Sequence, residues 1–215
     1  MVGRLQDSTR GAIFIDLDGT LLRGNSMKMF MKRLPVVLLR RGVPLSAVAA
    51  LWWMGLRVSK VISHRDMKWH LTLIARRHFL SSDWKEMARS MLPEANPTVV
   101  KYIDEPSRRE CVRYIATAAM EEYSVWLARL FGFDGVLATR FSKDKEKYEE
   151  TRGVAKLDRI RSELQDNGLH LESFLTDHSD DLPTAREYPE QTVVVNPDHK
   201  TQADFRNVGV TRWLN

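Results

Sequence analysis

Short apolar runs alternate with amphipathic stretches along the C-terminal half of the chain, and this alternation constrains the fold more than any other feature. The expected elements are Cys111–Ile115 (strand), Met120–Phe131 (helix), Gly135–Ala138 (strand), Val154–Gln165 (helix), Leu169–Thr176 (strand) and Thr192–Val195 (strand). Periodicity supports the helices, since Leu157, Ile160 and Leu164 would share one helical face. Strands that alternate with helices form a parallel sheet with right-handed crossovers. We therefore predict an α/β fold with a Rossmann-like parallel sheet.

An earlier apolar run, Ala12–Ile15, predicts a strand that ends at the turn sequence DLDGT, residues 16–20. From Ser26 to about Met91 the composition is helical, with Leu, Met, Ala and Trp mixed with Lys and Arg. We therefore expect an α/β core formed by residues 1–24 and 96–215, and an inserted all-helical cap formed by residues 25–95. The charged stretch Ser142–Thr151 has no apolar face and predicts a solvated loop or hairpin.

The composition is that of a globular protein that folds without crosslinks. The chain has 215 residues, of which 43% are hydrophobic and 28% charged, and its one cysteine, Cys111, fits a reducing compartment. The first eleven residues lack the apolar stretch of a secretory signal. The longest nearly apolar run, Val43–Leu56, is shorter than the roughly 20 residues of a spanning helix. These features favour a cytoplasmic protein without a membrane span.

Acidic residues follow two of the predicted strands. Asp16 and Asp18 follow the first strand, and Asp177, Asp180 and Asp181 follow a later one. Ligands of an open parallel sheet bind beyond the carboxyl ends of its strands, so we expect these side chains at one edge. Carboxylates gathered there repel each other, and a hard divalent cation with oxygen ligands relieves that repulsion. The sequence therefore predicts a Mg²⁺ site at this edge of the sheet.

Polar groups suited to an anion follow the other expected elements. Thr117, with Ala118 and Ala119 after it, would offer a hydroxyl and backbone amides at the start of a helix. Lys156, near the start of a later helix, would add a positive charge. Together with the metal, these groups predict a site for a metal-bridged phosphate.

Each of these residues has another interpretation when it is taken alone. The segment 16–20 can be a simple turn, since Asp and Gly are common turn residues. Thr117 can cap a helix, and Lys156 can be a surface lysine. Either Asp180 or Asp181 can cap the helix that follows it. The prediction of a phosphate site depends on the order and placement of the whole set.

As a set, these segments resemble the four motifs of the haloacid dehalogenase superfamily. The matching residues are DLDGT (16–20), Thr117, Lys156 and DHSDDLP (177–183). The resemblance covers residues 11–24 and about 96–198, and the helical insert is similar to the cap of the phosphoserine-phosphatase-like subgroup. Residues 193–198, VVVNPD, resemble that subgroup's closing strand and turn. The resemblance implies a Mg²⁺-dependent phosphatase with an α/β core and a helical cap.

The resemblance also implies a role for each matched residue. Asp16 would attack phosphorus and form an aspartyl-phosphate. Asp18 would protonate the leaving alcohol and then deprotonate the water that cleaves the intermediate. The phosphate would be held by Thr117, Ala118, Lys156 and Gly19. The metal would be held by Asp16, Asp18, Asp177 and Asp181.

The sequence departs from the subgroup in two places. His178 stands where the subgroup often has Ser, and two adjacent aspartates follow, of which the spacing from Asp177 favours Asp181 over Asp180. Residues 21–26 lack the acidic residue expected of a phosphoserine phosphatase. We therefore expect a small phosphorylated metabolite other than phosphoserine as the substrate. The alternatives are a phosphotransferase or a lipid-phosphate phosphatase of the same fold, and a catalytically silent module that binds an anionic membrane or a protein.

Basic residues are concentrated in the insert, where residues 25–95 contain 13 Lys and Arg but only 4 Asp and Glu. One interpretation is a solvated helical bundle whose four tryptophans, Trp52, Trp53, Trp69 and Trp84, form its core. A second is attraction of an anionic substrate. A third is peripheral contact with an anionic membrane through Arg40, Arg41, Arg57, Lys60 and Arg65. We expect no nucleic-acid binding because no recognised motif accompanies the charge, and the sequence predicts no oligomeric state.

Overall fold

The computed structural model describes residues 10–214, and a six-stranded sheet lies at its centre. The strands are β1 (Gly11–Ile15), β2 (Val112–Met120), β3 (Gly135–Thr139), β4 (His170–Thr176), β5 (Thr192–Val195) and β6 (Arg212–Leu214). Their order across the sheet is β3-β2-β1-β4-β5-β6, and every neighbouring pair is parallel. The predicted α/β fold with a parallel sheet is confirmed, and the strand order reverses at β1.

Five α-helices lie between β1 and β2 in the chain: α1 (Ser26–Arg40), α2 (Pro44–Val58), α3 (His64–His78), α4 (Ser81–Arg89) and α5 (Pro97–Ile103). The remaining α-helices are α6 (Glu121–Phe131), α7 (Val154–Asp166), α8 (Leu182–Glu187) and α9 (His199–Arg206). Local sequence sets several of these ends. The side chain of Asn25 caps α1, Pro44 opens α2, and α3 begins with a capping box formed by Ser63 and Asp66.

β1 is apolar on both faces because helices cover the sheet on both sides. Ile13 and Ile15 pack into a core shared with the inserted helices and α6. Ala12 and Phe14 point to the opposite face, where Phe14 stacks on Tyr114 with ring centroids 4.9 Å apart. A strand buried on both faces reads as a continuous apolar run, which is why Ala12–Ile15 stands out in the sequence. This burial holds the end of β1, and the residues that follow it, in a fixed position.

Some sequence predictions were wrong in detail. β2 continues to Met120, so Thr117 and Ala118 lie within a strand and not at the start of a helix. Neither β6 nor α9 was expected. The stretch Ser142–Thr151 has no helix or strand, as expected of a loop, but it is not simply solvated because Tyr148 and Thr151 are buried.

The tryptophans of the insert do not all lie in its core. Trp84 is buried against Phe30 and Phe79, whereas the side chain of Trp52 is 65% exposed. Within residues 10–214, none of the helices combines the length and the apolar character needed to cross a bilayer.

Candidate active site

The acidic residues after β1 and β4 lie at one edge of the sheet because these strands are parallel neighbours. Asp16 directly follows β1, and its backbone amide still donates to the carbonyl of Leu175 at 2.9 Å. Asp177 directly follows β4. A cavity of about 620 Å³ opens at this edge. All of the predicted site residues line it: Asp16, Asp18, Gly19, Thr117, Ala118, Lys156, Asp177 and Asp181.

Lys156 is a buried lysine at the floor of this site. It lies in the first turn of α7 and is only 3% exposed. Its Nζ donates to Asp16 Oδ1 at 2.7 Å and to Asp181 Oδ2 at 2.8 Å. Two lysines that precede it in the sequence lie elsewhere, since Lys145 pairs with Asp66 on the insert and Lys147 with Asp144. The interpretation of Lys156 as a surface lysine was therefore wrong.

The two adjacent aspartates after β4 have different surroundings. Asp181 is buried and accepts a hydrogen bond from Thr176 Oγ1 at 2.7 Å as well as the one from Lys156. Asp180 lies at the rim, where it pairs with Arg152 at 2.6 Å and with His178 at 3.0 Å. The structure thus brings Asp181, rather than Asp180, together with Asp16 and Lys156.

The turn at residues 16–20, directly after β1, forms hydrogen bonds with the insert and with Asp177. The backbone amide of Ser26, at the start of α1, donates to Asp18 Oδ1 at 2.6 Å. Thr20 Oγ1 donates to Asp177 Oδ1 at 3.1 Å. Gly19 has a positive φ of 82°, and a Cβ at this position would lie 2.0 Å from Asp177 Oδ2. Only glycine therefore fits beside the carboxylate of Asp177.

Sequence reasoning missed one buried contact between the insert and this site. Lys68, on α3, donates from Nζ to the carbonyl of Ala118 and to Glu150 Oε1, both at 2.5 Å. The same carbonyl accepts from Thr139 Oγ1 at 2.7 Å. The sequence contains a weak indication of this contact. Lys68 is spaced three and seven residues from Leu71 and Ala75, so it lies on the buried side of α3, where a lysine needs a hydrogen-bonding partner. Three further basic residues that line the cavity, Arg23, Lys28 and Arg152, were not predicted either, and the sequence around them gives no comparable indication.

The site contains more negative than positive charge. Burial raises the pKa of Asp16 well above its ordinary value, although the ammonium of Lys156 opposes the shift. Burial also raises the pKa values of Asp18 and Asp177. Burial disfavours the charged form of Lys156, but the carboxylates of Asp16 and Asp181 outweigh it and raise its pKa. Four carboxyl groups thus face two buried ammonium groups, that of Lys156 and that of Lys68, which acts on Asp18 and pairs with Glu150. Ionisation of the four carboxyl groups is therefore incompletely compensated.

The donor set fits Mg²⁺ better than a cation that needs a complete protein cage. In the described part of the chain, no three His, Cys, Asp or Glu side chains surround a common point closely enough to hold an ion by themselves. Mg²⁺ keeps several waters and needs only one or two carboxylates together with substrate phosphate. Asp16 and Asp177 can supply these carboxylates, and the excess negative charge favours a cation. Asp181 Oδ1 is also buried, and it lies 2.8 Å from Lys156 Nζ, which donates its hydrogen bond to Oδ2 of the same carboxylate.

Several solved structures share this fold. A protein of unknown function from Bordetella pertussis Tohama I has 19% identity and a TM-score of 0.73, over 97% of this chain and 99% of that one. A phosphoserine phosphohydrolase-like protein from Francisella tularensis has 14% identity and a TM-score of 0.52, over 95% and 94%. A phospho-aspartyl intermediate analogue of phosphoserine phosphatase has 14% identity and a TM-score of 0.55, over 96% and 93%. At these identities the likeness indicates the fold alone.

The sequence itself gives the family. A search of curated proteins found no match. The model of the haloacid dehalogenase-like hydrolases, in contrast, matches residues 13–186, a span that begins within β1, ends within α8 and contains every predicted site residue. Because this match covers most of the chain, the protein belongs to the haloacid dehalogenase-like hydrolase family, as the sequence motifs implied.

Proposed function

We propose that the protein is a Mg²⁺-dependent phosphatase that hydrolyses the phosphomonoester of a small metabolite through a phosphorylated Asp16. The observation that carries this proposal is the meeting of Asp16, Asp18, Lys156 and Asp177 at one cavity, although they come from three separate segments of the chain. Membership of a hydrolase family supports the reaction type. The cavity volume of about 620 Å³ is within the usual range for small-molecule sites.

Asp16 is the proposed nucleophile. Lys156 holds Oδ1 of this carboxylate, which leaves Oδ2 to attack phosphorus. The attack forms a bond between phosphorus and Asp16 and breaks the bond between phosphorus and the leaving alcohol. A carboxylate is an adequate nucleophile when the charge of the phosphate oxygens is compensated, and the ammonium of Lys156 contributes to that compensation.

Asp18 is the proposed general acid and base. Burial raises its pKa, which favours the protonated form that a general acid needs. The amide of Ser26 holds Oδ1 and thereby orients the other oxygen. Asp18 gives its proton to the leaving alcohol, and then takes a proton from the water that attacks the phosphoryl group on Asp16.

The remaining predicted residues hold the phosphoryl group and the metal. The hydroxyl of Thr117, the amide of Ala118 and the ammonium of Lys156 would donate to phosphate oxygens, and Gly19 leaves room for the group to approach. Asp16, the main-chain carbonyl of Asp18 and Asp177 would hold Mg²⁺, with Asp181 as a further ligand or as a partner of its waters. When bound there, Mg²⁺ would neutralise charge on the phosphate oxygens.

We also propose that residues 25–95 act as a cap that selects the substrate. Two contacts support this role, because Ser26 holds Asp18 and Lys68 holds the carbonyl of Ala118. Arg23 and Lys28 line the cavity near the start of α1 and would meet an anionic substrate as it enters.

The proposal is tested by phosphate release from a panel of phosphomonoesters, with and without Mg²⁺ after treatment with a chelator. The panel includes phosphoserine and lipid phosphates. Asp16→Asn should abolish release, whereas the matched control Asp180→Asn, a rim residue, should retain most of it. Release that continues in Asp16→Asn, or that is unaffected by the removal of divalent ions, would refute the mechanism.

A further inference from the structure

An apolar face on α2 is exposed to solvent. It consists of five large side chains, each more than half exposed: Leu45, Val48, Leu51, Trp52 and Val58. Leu45, Val48 and Trp52 are spaced by three and four residues, so they lie along one side of the helix. We call these five residues the α2 face. Exposed apolar side chains are ordinary when scattered, but a contiguous group on one helix indicates a binding surface.

α2 differs from an ordinary surface helix because it is apolar on its outer side as well as on its inner side. A surface helix normally buries its large apolar residues and exposes polar ones. Here Ala47 and Ala50 are buried, and Trp53 and Met54 pack against the same core while partly buried. On the outer side, Leu45 is 85% exposed. Arg57 is the only charged residue of this helix. Packing within the insert therefore does not account for the apolar residues on the outer side of α2.

The adjoining turns extend this surface. Val36 and Leu39 near the end of α1, and Val61 after α2, are also exposed. The described residues include eleven exposed large apolar side chains, and eight of them fall between Val36 and Val61. The exposure is therefore local to this part of the insert.

The segment that carries the α2 face is strongly basic. Residues 25–65 contain eight Lys and Arg and no Asp or Glu. Arg33, Arg57 and Lys60 form no ion pair within the described residues. Two basic residues of this segment pair with α4, where Glu86 lies 3.9 Å from Arg40 and Asp83 lies 2.6 Å from Arg41. Two of the eight are engaged elsewhere, since Lys28 lines the catalytic cavity and Arg65 donates to the carbonyl of Tyr148. The segment that carries the α2 face therefore combines exposed apolar side chains with unpaired positive charge.

We propose that the α2 face docks on the surface of a bilayer that contains anionic lipid. Apolar side chains would enter the boundary between headgroups and acyl chains, and the unpaired Lys and Arg of the same segment would meet lipid phosphates. A second copy of this chain fits the surface poorly, because it would bring two uncompensated basic regions together. The anionic bilayer matches both the exposed apolar side chains and the unpaired positive charge.

Docking at this surface is separate from the proposed catalysis. No residue of the α2 face lines the catalytic cavity. The catalytic cavity and the α2 face lie at opposite ends of α1, which has 15 residues. Ser26, at its first position, contacts Asp18, and Arg40 ends the helix next to the exposed Leu39. A helix of that length spans about 22 Å. Changes in the α2 face should therefore alter vesicle binding without altering hydrolysis of a water-soluble substrate.

The test is co-sedimentation of the full-length protein with vesicles. One set contains phosphatidylcholine alone, and the other contains equal parts of phosphatidylcholine and phosphatidylglycerol. We expect binding to the anionic vesicles, at least about tenfold weaker binding to the neutral ones, and loss of most binding at high salt because salt screens the attraction.

A matched pair of variants tests the apolar part. Val48→Ser combined with Trp52→Ser should abolish binding to the anionic vesicles. Val154→Ser, at a valine outside the insert, should leave binding unchanged, although its exposure of 62% matches the 63% of Val48. Circular dichroism and hydrolysis of a soluble phosphomonoester verify that each variant is folded.

A second pair tests the charge. Arg57→Gln combined with Lys60→Asn should weaken partitioning about 25-fold, because each basic residue at the surface contributes a factor of about five. Asn suits position 60 because Lys60 has a positive φ of 59°. Lys101→Gln combined with Lys200→Gln removes the same charge from exposed sites outside the insert and should have little effect.

Three outcomes would overturn the proposal. The first is no binding to either kind of vesicle. The second is equal binding to both kinds, or binding that is insensitive to salt. The third is a dimer in light scattering that the Val48→Ser and Trp52→Ser substitutions dissociate, since the occupant would then be a second copy.

Discussion

Replacing Gly19 with alanine should disable the site while changing the stability of the fold only modestly. Gly19 has a positive φ of 82°, and the added Cβ would lie 2.0 Å from Asp177 Oδ2 and 2.6 Å from its Cγ. Such atoms do not approach within 3.0 Å, so the carboxylate must move by at least about 1 Å. A misplacement of about 1 Å in a catalytic arrangement costs about 10²-fold in rate.

The stability change has two parts. The left-handed backbone costs a non-glycine residue about 1–2 kcal/mol. Loss of the hydrogen bond from Thr20 to the displaced Asp177 adds about 1 kcal/mol. We therefore expect the free energy of unfolding to fall by about 2–3 kcal/mol, measured by urea denaturation.

Gly132→Ala is the matched control. Gly132 ends α6 with a positive φ of 71°, and a Cβ there would meet nothing within 4 Å. This variant also places a Cβ on a backbone of positive φ, but without the clash, so it should lose about 1–2 kcal/mol of stability and keep its phosphatase activity. Equal activities in the two variants would refute the reasoning that the position of Asp177 is essential.

Three further predictions concern other parts of the site and the insert. Lys68→Met should lower the free energy of unfolding by about 3–5 kcal/mol in urea titrations because it leaves Glu150 unpaired, and adding Glu150→Gln should restore part of that loss. Thr117→Val should lower kcat/KM for phosphomonoester hydrolysis by about 10²-fold, the cost of one donor to a charged oxygen; an unchanged value would remove Thr117 from the proposed phosphate site. The hydrogen bond from Lys145 lowers the pKa of Asp66 from 3.8 to about 2, so ionised Asp66 stabilises the fold above pH 3.8 and this contribution disappears as the pH falls through about 2. Asp66→Asn should therefore be less stable than the unaltered protein at neutral pH, and urea titrations at lower pH should show this difference shrinking between about pH 4 and 2; a constant difference would contradict the assignment.

The sheet and its acidic edge were predictable because their signals are local. β1 is buried on both faces, so its sequence is an unbroken apolar run, and the acidic turn begins directly after it. Because β1 and β4 are parallel, Asp16 and Asp177, which directly follow these strands, lie at the same edge of the sheet. The family motifs added Lys156, whose burial beside Asp16 no local pattern reveals.

The errors came from features that tertiary contacts determine. Thr117 lies within β2 because that strand continues beyond its pairing with β1 to a later pairing of Met120 with Thr139. The contact of Lys68 with Ala118 joins residues that are 50 positions apart, and no spacing predicts it.

Composition alone also failed to predict which side of α2 faces solvent. The helix contains enough large apolar residues to form a core, but the packing of Ala47 and Ala50 against the insert leaves Trp52 outside.

The central claim is that Asp16 becomes covalently phosphorylated during turnover. The most direct measurement is an acid quench during hydrolysis of the best substrate in the panel, followed by mass spectrometry of the peptide that contains residue 16. We predict a phosphoryl group on Asp16 in the unaltered protein and in Asp180→Asn, and no phosphorylated peptide in Asp16→Asn. Rapid phosphate release with Asp16 unmodified, or with the phosphoryl group on a different residue, would contradict the account.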